Sequence, residues 1–183
     1  QQWLNQQPHS LPLGLLMADL HRRSGALEAA RRELEQLLRL HPSNQELLQL
    51  AVLVDLQDGR GQNALQLLQS QFAQRPEGQR LELGLLLADL QRQLGQTKAA
   101  ASSYQKLAKE SAEDVSAVIA LAMLHQEQGD AAEVERWLDQ ARLRRGNDDR
   151  PDPMIDELAY RWGLRAARVR AEQQSSEVPA PTP

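Results

Sequence analysis

The sequence predicts an all-α fold: about four helix–turn–helix units laid side by side, followed by a C-terminal capping helix. Three observations carry that prediction. First, residues 81–100, LELGLLLADLQRQLGQTKAA, nearly repeat residues 11–30, LPLGLLMADLHRRSGALEAA, and more diverged copies run over 47–64 and 117–134. A chain that rewrites one unit is a stack of units, each burying its apolar side on the next. Second, Gly25, Gly59, Gly95 and Gly129 fall at steps of thirty-four, thirty-six and thirty-four residues. Third, the apolar content is mostly Leu and Ala, and aromatic residues make up 3% of the chain. That composition favours helices over sheets.

Residues 1–10, QQWLNQQPHS, read as the end of a truncated preceding unit. Pro8, Pro42 and Pro76 are spaced thirty-four residues apart, and each stands where a second helix must stop, because the residue before Pro is driven out of the α region. The first full unit covers 11–44. Leu13, Leu16, Met17 and Leu20 share one face of its first helix. Ser24-Gly25 breaks that helix, and Leu27, Ala30, Leu34, Leu37 and Leu38 form the stripe of the second.

The second unit, 45–78, repeats the scheme with Leu48, Ala51, Val52 and Leu56, then Ala64, Leu67, Leu68 and Phe72. The two-residue excess in the glycine spacing belongs to the polar loop around Pro76-Glu77-Gly78, where insertions cost little. The third unit, 81–114, carries Leu83, Leu87 and Leu90, then Ala100, Tyr104 and Leu107. The fourth, 115–148, carries Val118, Leu121 and Ala122, then Val134, Leu138 and Ala141. Asp152-Pro153 is a helix start, and the capping helix is expected over 152–171. Ile155, Leu158, Ala159, Trp162 and Ala166 would form its dry face. Residues 172–183, ending VPAPTP, are expected to be a disordered tail.

At this point the lettering is recognisable. The chain resembles the tetratricopeptide repeat family, whose pattern is W-x-x-L-G-x-x-Y, A-x-x-x-F and P at a period of thirty-four. The first unit offers Gly14-x-x-Met17-Ala18-x-x-His21, Ala30-x-x-x-Leu34 and Pro42; the third offers Gly84-x-x-Leu87-Ala88-x-x-Gln91 and Ala100-x-x-x-Tyr104. Small residues recur as Ala18, Val52, Ala88 and Ala122 on first helices, and as Ala30, Ala64, Ala100 and Val134 on second helices. The family's Trp is replaced by Gly14, Leu48, Gly84 and Val118.

The resemblance implies a right-handed superhelix whose first helices line a concave groove. Carried over by position, that wall would present Leu15, Asp19 and Arg22, then Gln49, Leu53 and Leu56. Leu85, Asp89 and Arg92 would follow, then Ile119, Met123 and Gln126. The expected role is a non-catalytic scaffold that holds a partner peptide or helix in the groove during assembly of a larger complex. Family members that clamp acidic chaperone tails use Lys and Asn on the inner helices. Here Leu15, Asp19, Leu85 and Asp89 would repel a carboxylate.

Other chemistry is poorly supplied. The chain has no Cys and a formal charge of -4, so it offers no thiolate site and no global attraction for nucleic acid or anionic membrane. No catalytic residue, metal ligand or cofactor is expected: the four histidines are dispersed, and His21 and His125 read as packing residues. No run of residues is long and apolar enough to span a bilayer. The chain starts without Met, so a segment of a longer protein is expected, with any anchor or export signal upstream of it, and the compartment stays open. Two further readings also stay open. Arg142, Arg144, Arg145, Arg150, Arg161, Arg165, Arg168 and Arg170 could form an RNA- or membrane-binding patch. The N-terminal end could self-associate through an uncapped apolar face.

Overall fold

The computed structural model describes residues 10–145 and 153–163. Among these residues every regular element is helical. The chain divides into two compact units, Gln1–Ala100 and Ala101–Pro183. The expectations for residues 1–9, for the turn at 146–152 and for the tail at 172–183 lie outside the described residues.

The first unit contains α1 (Leu11–Arg23), α2 (Leu27–Leu40), α3 (Gln45–Gln57), α4 (Gly61–Gln74) and α5 (Leu81–Gln93), and it includes the start of α6 (Thr97–Glu110). From α1 to α5 each helix packs on its sequence neighbour within this set, and α1 also lies beside α3. The repeating glycines make this possible. Gly25, Gly59 and Gly95 have φ of 81°, 72° and 74°, which a side chain resists. The residue after each then donates its N–H to a carbonyl five residues back: Ala26 to His21 at 2.8 Å, Arg60 to Asp55 at 2.7 Å and Gln96 to Gln91 at 2.8 Å. These reverse bonds close the helix ends and turn the chain back on itself. A 3-10 turn at Glu77–Gln79 takes up the two extra residues before α5.

Two side-chain clusters fill this unit. Ala18, Ala30, Leu34, Leu37, Leu47, Leu50, Ala51 and Val54 form one. Leu48, Val52, Ala64, Leu65, Leu68, Leu83, Leu87 and Leu90 form the other. Leu38 and Leu67 touch both. Burial of each large side chain stabilises by about 1.5–3 kcal/mol, so the stripes identified by spacing hold the helix pairs together. Ala18, Ala30, Ala64 and Ala88 are fully buried, as close helix approach requires. Gly14 explains the lost family Trp. A Cβ there would stand 2.6 Å from Leu37 Cδ1, so a large residue of α2 fills the space that a large residue of α1 would otherwise take. In the fourth repeat the sizes at the equivalent positions are reversed: Val118 and Ala141, both buried.

One stripe behaves differently. Leu13, Leu16, Met17 and Leu20 of α1 are 42%, 56%, 40% and 51% exposed. Their shared face was legible, but no helix of the described residues covers it.

The second unit contains the rest of α6, then α7 (Ser116–Glu127), α8 (Ala131–Arg144) and α9 (Pro153–Arg161). Gly129 turns α7 into α8 with φ 76°. Tyr104 and Leu107 of α6, Val118, Leu121 and Ala122 of α7, Val134, Leu138 and Ala141 of α8, and Ile155 and Ala159 of α9 are buried. The helix expected continuously over 152–171 instead ends at Arg161, and Gly163 follows with φ 68°. Gly163 lies thirty-four residues after Gly129, so α9 occupies the place of a first helix. Residues 164–171 lie outside the described residues.

Candidate protein-binding surface

The first helices of successive repeats carry the predicted inner wall, and their equivalent positions are Asp19, Leu53, Asp89 and Met123. Within the first unit Leu53 is 51% exposed although its neighbours on α3, Leu50, Ala51, Val52 and Val54, are buried. An apolar residue left open on an otherwise closed helix is the informative kind of exposure when charged groups frame it. On α1, Asp19 accepts hydrogen bonds from Arg22 Nη2 at 2.7 Å and Nε at 3.0 Å. Its other oxygen pairs with Arg23 at 2.6 Å. The Arg22 hydrogen bond, helped by the charges of both arginines, holds the Asp19 carboxyl below the usual carboxylate range. On α5, Asp89 and Arg92 approach to 3.8 Å. The wall of this unit thus alternates fixed acid–base pairs with an open leucine.

The remaining candidates divide by depth. Gln49 is exposed. Leu15 packs against the first cluster and Leu56 against the second, and Leu85 is half-buried. In the second unit Met123 of α7 is 45% exposed, flanked by half-buried Ile119 and Gln126. Position by position, the structure leaves Leu53 and Met123 as the exposed apolar residues among the candidates and packs Leu15 and Leu56 against the clusters.

A second feature was not legible beforehand. A cavity of about 500 Å³ opens between α2, α3 and α4, with Leu34, Leu38, Val54 and Leu67 in its lining and Arg31 and Asp55 at its polar side. Arg31 reaches across from α2 to Asp55 at 3.1 Å and Asp58 at 2.7 Å on α3, and to Glu28 at 2.7 Å. Arg60 joins through Glu28 and Asp58. Burial opposes the charge on Arg31, but hydrogen bonds to Asp58, Asp55 and Glu28 outweigh it and raise its pKa. The pairing spans more than twenty residues of sequence, so no local spacing announces it.

Two of the C-terminal arginines are spent on structure. Arg142 binds Asp139 at 2.6 Å and Asp156 of α9 at 2.8 Å. Arg144 donates to the carbonyls of Ala108, Ser111 and Asp114 at 2.6–3.1 Å, satisfying the open end of α6. Arg75 does the same for Ser43 at 2.8 Å. Arg150, Arg165, Arg168 and Arg170 lie outside the described residues. Among the described residues no group of three His, Asp or Glu side chains could hold a metal, and no helix is long and apolar enough to cross a membrane.

Residues 91–152 match the sequence family described as tetratricopeptide repeat. No curated protein sequence matches the chain. Several solved structures do share its fold. A tetratricopeptide repeat protein from Parabacteroides merdae is 21% identical, with 92% of this chain and 80% of that one aligned at a TM-score of 0.53. PilW, a type IV pilus biogenesis factor, is 14% identical over 93% of this chain and 79% of its own, at a TM-score of 0.62. The TPR-like repeats of a kinesin light chain from Podosopora anserina are 18% identical over 95% and 100%, also at 0.62. At such identities the likeness speaks for the fold. Among the described residues the fold is all-α and of the tetratricopeptide solenoid type, as predicted.

Proposed function

We propose that this tetratricopeptide-repeat chain is a non-catalytic scaffold that binds a protein partner along its first helices, in support of a multiprotein assembly. The family match and the fold support the scaffold role. The observation that carries the finer reading is Leu53. It is 51% exposed on a helix whose other large side chains are mostly buried, at the position where α1 and α5 bear Asp19 and Asp89. A partner helix or extended segment would set an apolar side chain on Leu53, while the flanking Asp–Arg pairs fix its register. Rigid helices lose little freedom when they bind, which favours such a surface.

The test is site-directed photocrosslinking in the native host, with a benzoylphenylalanine at position 53 or at exposed Gln69 of α4. A discrete partner should crosslink from 53 and not from 69. In a separate variant without the crosslinker, Leu53→Asp should reduce affinity recovery of that partner at least about tenfold, the loss of one buried apolar contact. The helical circular dichroism should not change. Equal crosslinking from both positions, or full recovery with Leu53→Asp, would overturn the reading.

A further inference from the structure

We infer that the trough between α2 and α4 is a second protein-binding site. Its occupant is an amphipathic helix of a partner protein, with one bulky apolar side chain bordered by a base and an acid. α2 and α4 each pack on α3, and the cavity of about 500 Å³ opens between the three. This surface is separate from the one above and does not depend on it. On α3 the cavity is lined by Ala51, Val54 and Asp55, and Ala51 and Asp55 stand about 160° around the helix from Leu53. A partner seated on Leu53 leaves the trough open.

Size and lining suit an inserted side chain. The volume falls within the roughly 300–1,000 Å³ of clefts that take ligand groups. Its deepest residues are apolar: Leu34 and Val54 are 2% and 1% exposed, and Leu38 and Leu67 are half-buried beside them. An internal comparison shows what bulk the place of Leu67 can carry. Leu67 precedes Trp137 by seventy residues, the same interval that separates Gly59 from Gly129. Trp137 is half-buried with its indole Nε1 enclosed. The fourth repeat thus supplies from its own chain an aromatic bulk that the second repeat lacks.

Charge selects the occupant. Arg31 and Asp55, at the polar side, already hold each other at 3.1 Å. Glu35 and Arg39 are exposed in the lining, one turn apart on α2, and neither has an ion pair among the described residues. Glu before Arg at this spacing is the favoured order for pairing within a helix. Arg39 Nε instead donates to the Glu35 carbonyl at 3.3 Å, so the carboxylate stays unmatched. A base set against Glu35 and an acid set against Arg39 would complete both. A rim with one charge of each sign has no net pull on a simple anion such as a fatty acid. An amphipathic helix brings the base, the acid and the apolar group on one face. The exposed apolar helix of this chain, α1, has its Asp19 already paired with Arg22 and Arg23, which favours a foreign helix over a second copy.

Fluorescence anisotropy tests the proposal, with the full chain titrated into a labelled, alanine-based helical peptide. The peptide carries one Trp, with Lys and Glu one turn apart beside it. Binding should weaken at least about tenfold when its Trp is replaced by Ser. Asn63→Trp, which crowds the cavity from an exposed lining position, should weaken it as much. Arg39→Glu should shift the preference about tenfold toward a peptide with Lys in place of Glu. Leu53→Asp should change nothing, so the two surfaces stand or fall separately. No binding up to about 1 mM, or an affinity indifferent to Asn63→Trp and to the charge exchange, would overturn the proposal. Loss of binding with Leu53→Asp, or displacement of the peptide by decanoate, would overturn it equally. So would sedimentation at two concentrations showing a dimer that Asn63→Trp dissolves, since the trough would then belong to a second copy.

Discussion

α1 and α3 are written in nearly the same letters and meet opposite surroundings. Leu47 at the start of α3 is fully buried, while Leu13 at the equivalent place on α1 is 42% exposed. The difference lies in the neighbour: α2 covers α3, and α1 has no counterpart among the described residues. In a repeat array, burial belongs to the interface between units and not to the residue alone. An apolar stripe read from spacing therefore states where a helix can pack, and the adjoining unit decides whether it does.

The largest expected effect breaks the comparison directly. Leu47→Ala should cost about 2–5 kcal/mol, because it empties a closed core position. Leu13→Ala should cost less, about 1 kcal/mol, since that residue is already 42% exposed. Urea unfolding of the two variants measures both. Equal losses would show that α1's face is covered in solution.

Next in size is the ionic seam. Arg31 ties α2 to α3 and its cap through Asp55 and Asp58, whereas Arg22 of α1 pairs locally, with Asp19 three residues before it. Arg31→Met takes the guanidinium from Asp55, leaves Asp58 with Arg60 alone, and should cost roughly 1–3 kcal/mol. Arg22→Met should cost about 0–1 kcal/mol. Thermal melts at low and high salt separate the two, with Arg31→Met the larger loss in both.

The smallest contrast concerns the turns. Gly59 has φ 72°, so Gly59→Val should cost on the order of 1–2 kcal/mol even though a Cβ there meets nothing within 4 Å. Gly78 has the same open space without a positive φ, and Gly78→Ala should lie within about 0.5 kcal/mol of wild type. Matched melting temperatures for the two would remove backbone strain as the reason for the glycine period.

Much of the architecture was visible in advance because its causes are local. The glycine and proline periods, the buried Ala18, Ala30 and Ala64, and the core Leu34, Leu68 and Leu138 all follow from helix spacing and turn chemistry. Gly163 was equally visible, thirty-four residues after Gly129, yet the apolar run through Trp162 read as one long helix. The structure ends α9 at Arg161. The candidate surface was less legible. The family resemblance placed Leu15, Leu53 and Leu56 on one wall, but depth depends on which neighbour each meets. Leu15 and Leu56 join core clusters, and Leu53 stays open. Arg142 and Arg144 looked like a basic surface until the fold paired one with Asp156 and set the other on the carbonyls closing α6.

By itself the sequence determined the helices, the turns that join them and the faces able to pack, because propensity, periodicity and left-handed glycine turns act within a few residues. The tertiary structure decided which of those faces closed, which arginines were consumed and which leucine stayed on the surface. Those outcomes depend on groups brought together from far along the chain, and a contact across more than twenty residues leaves no mark in the local lettering.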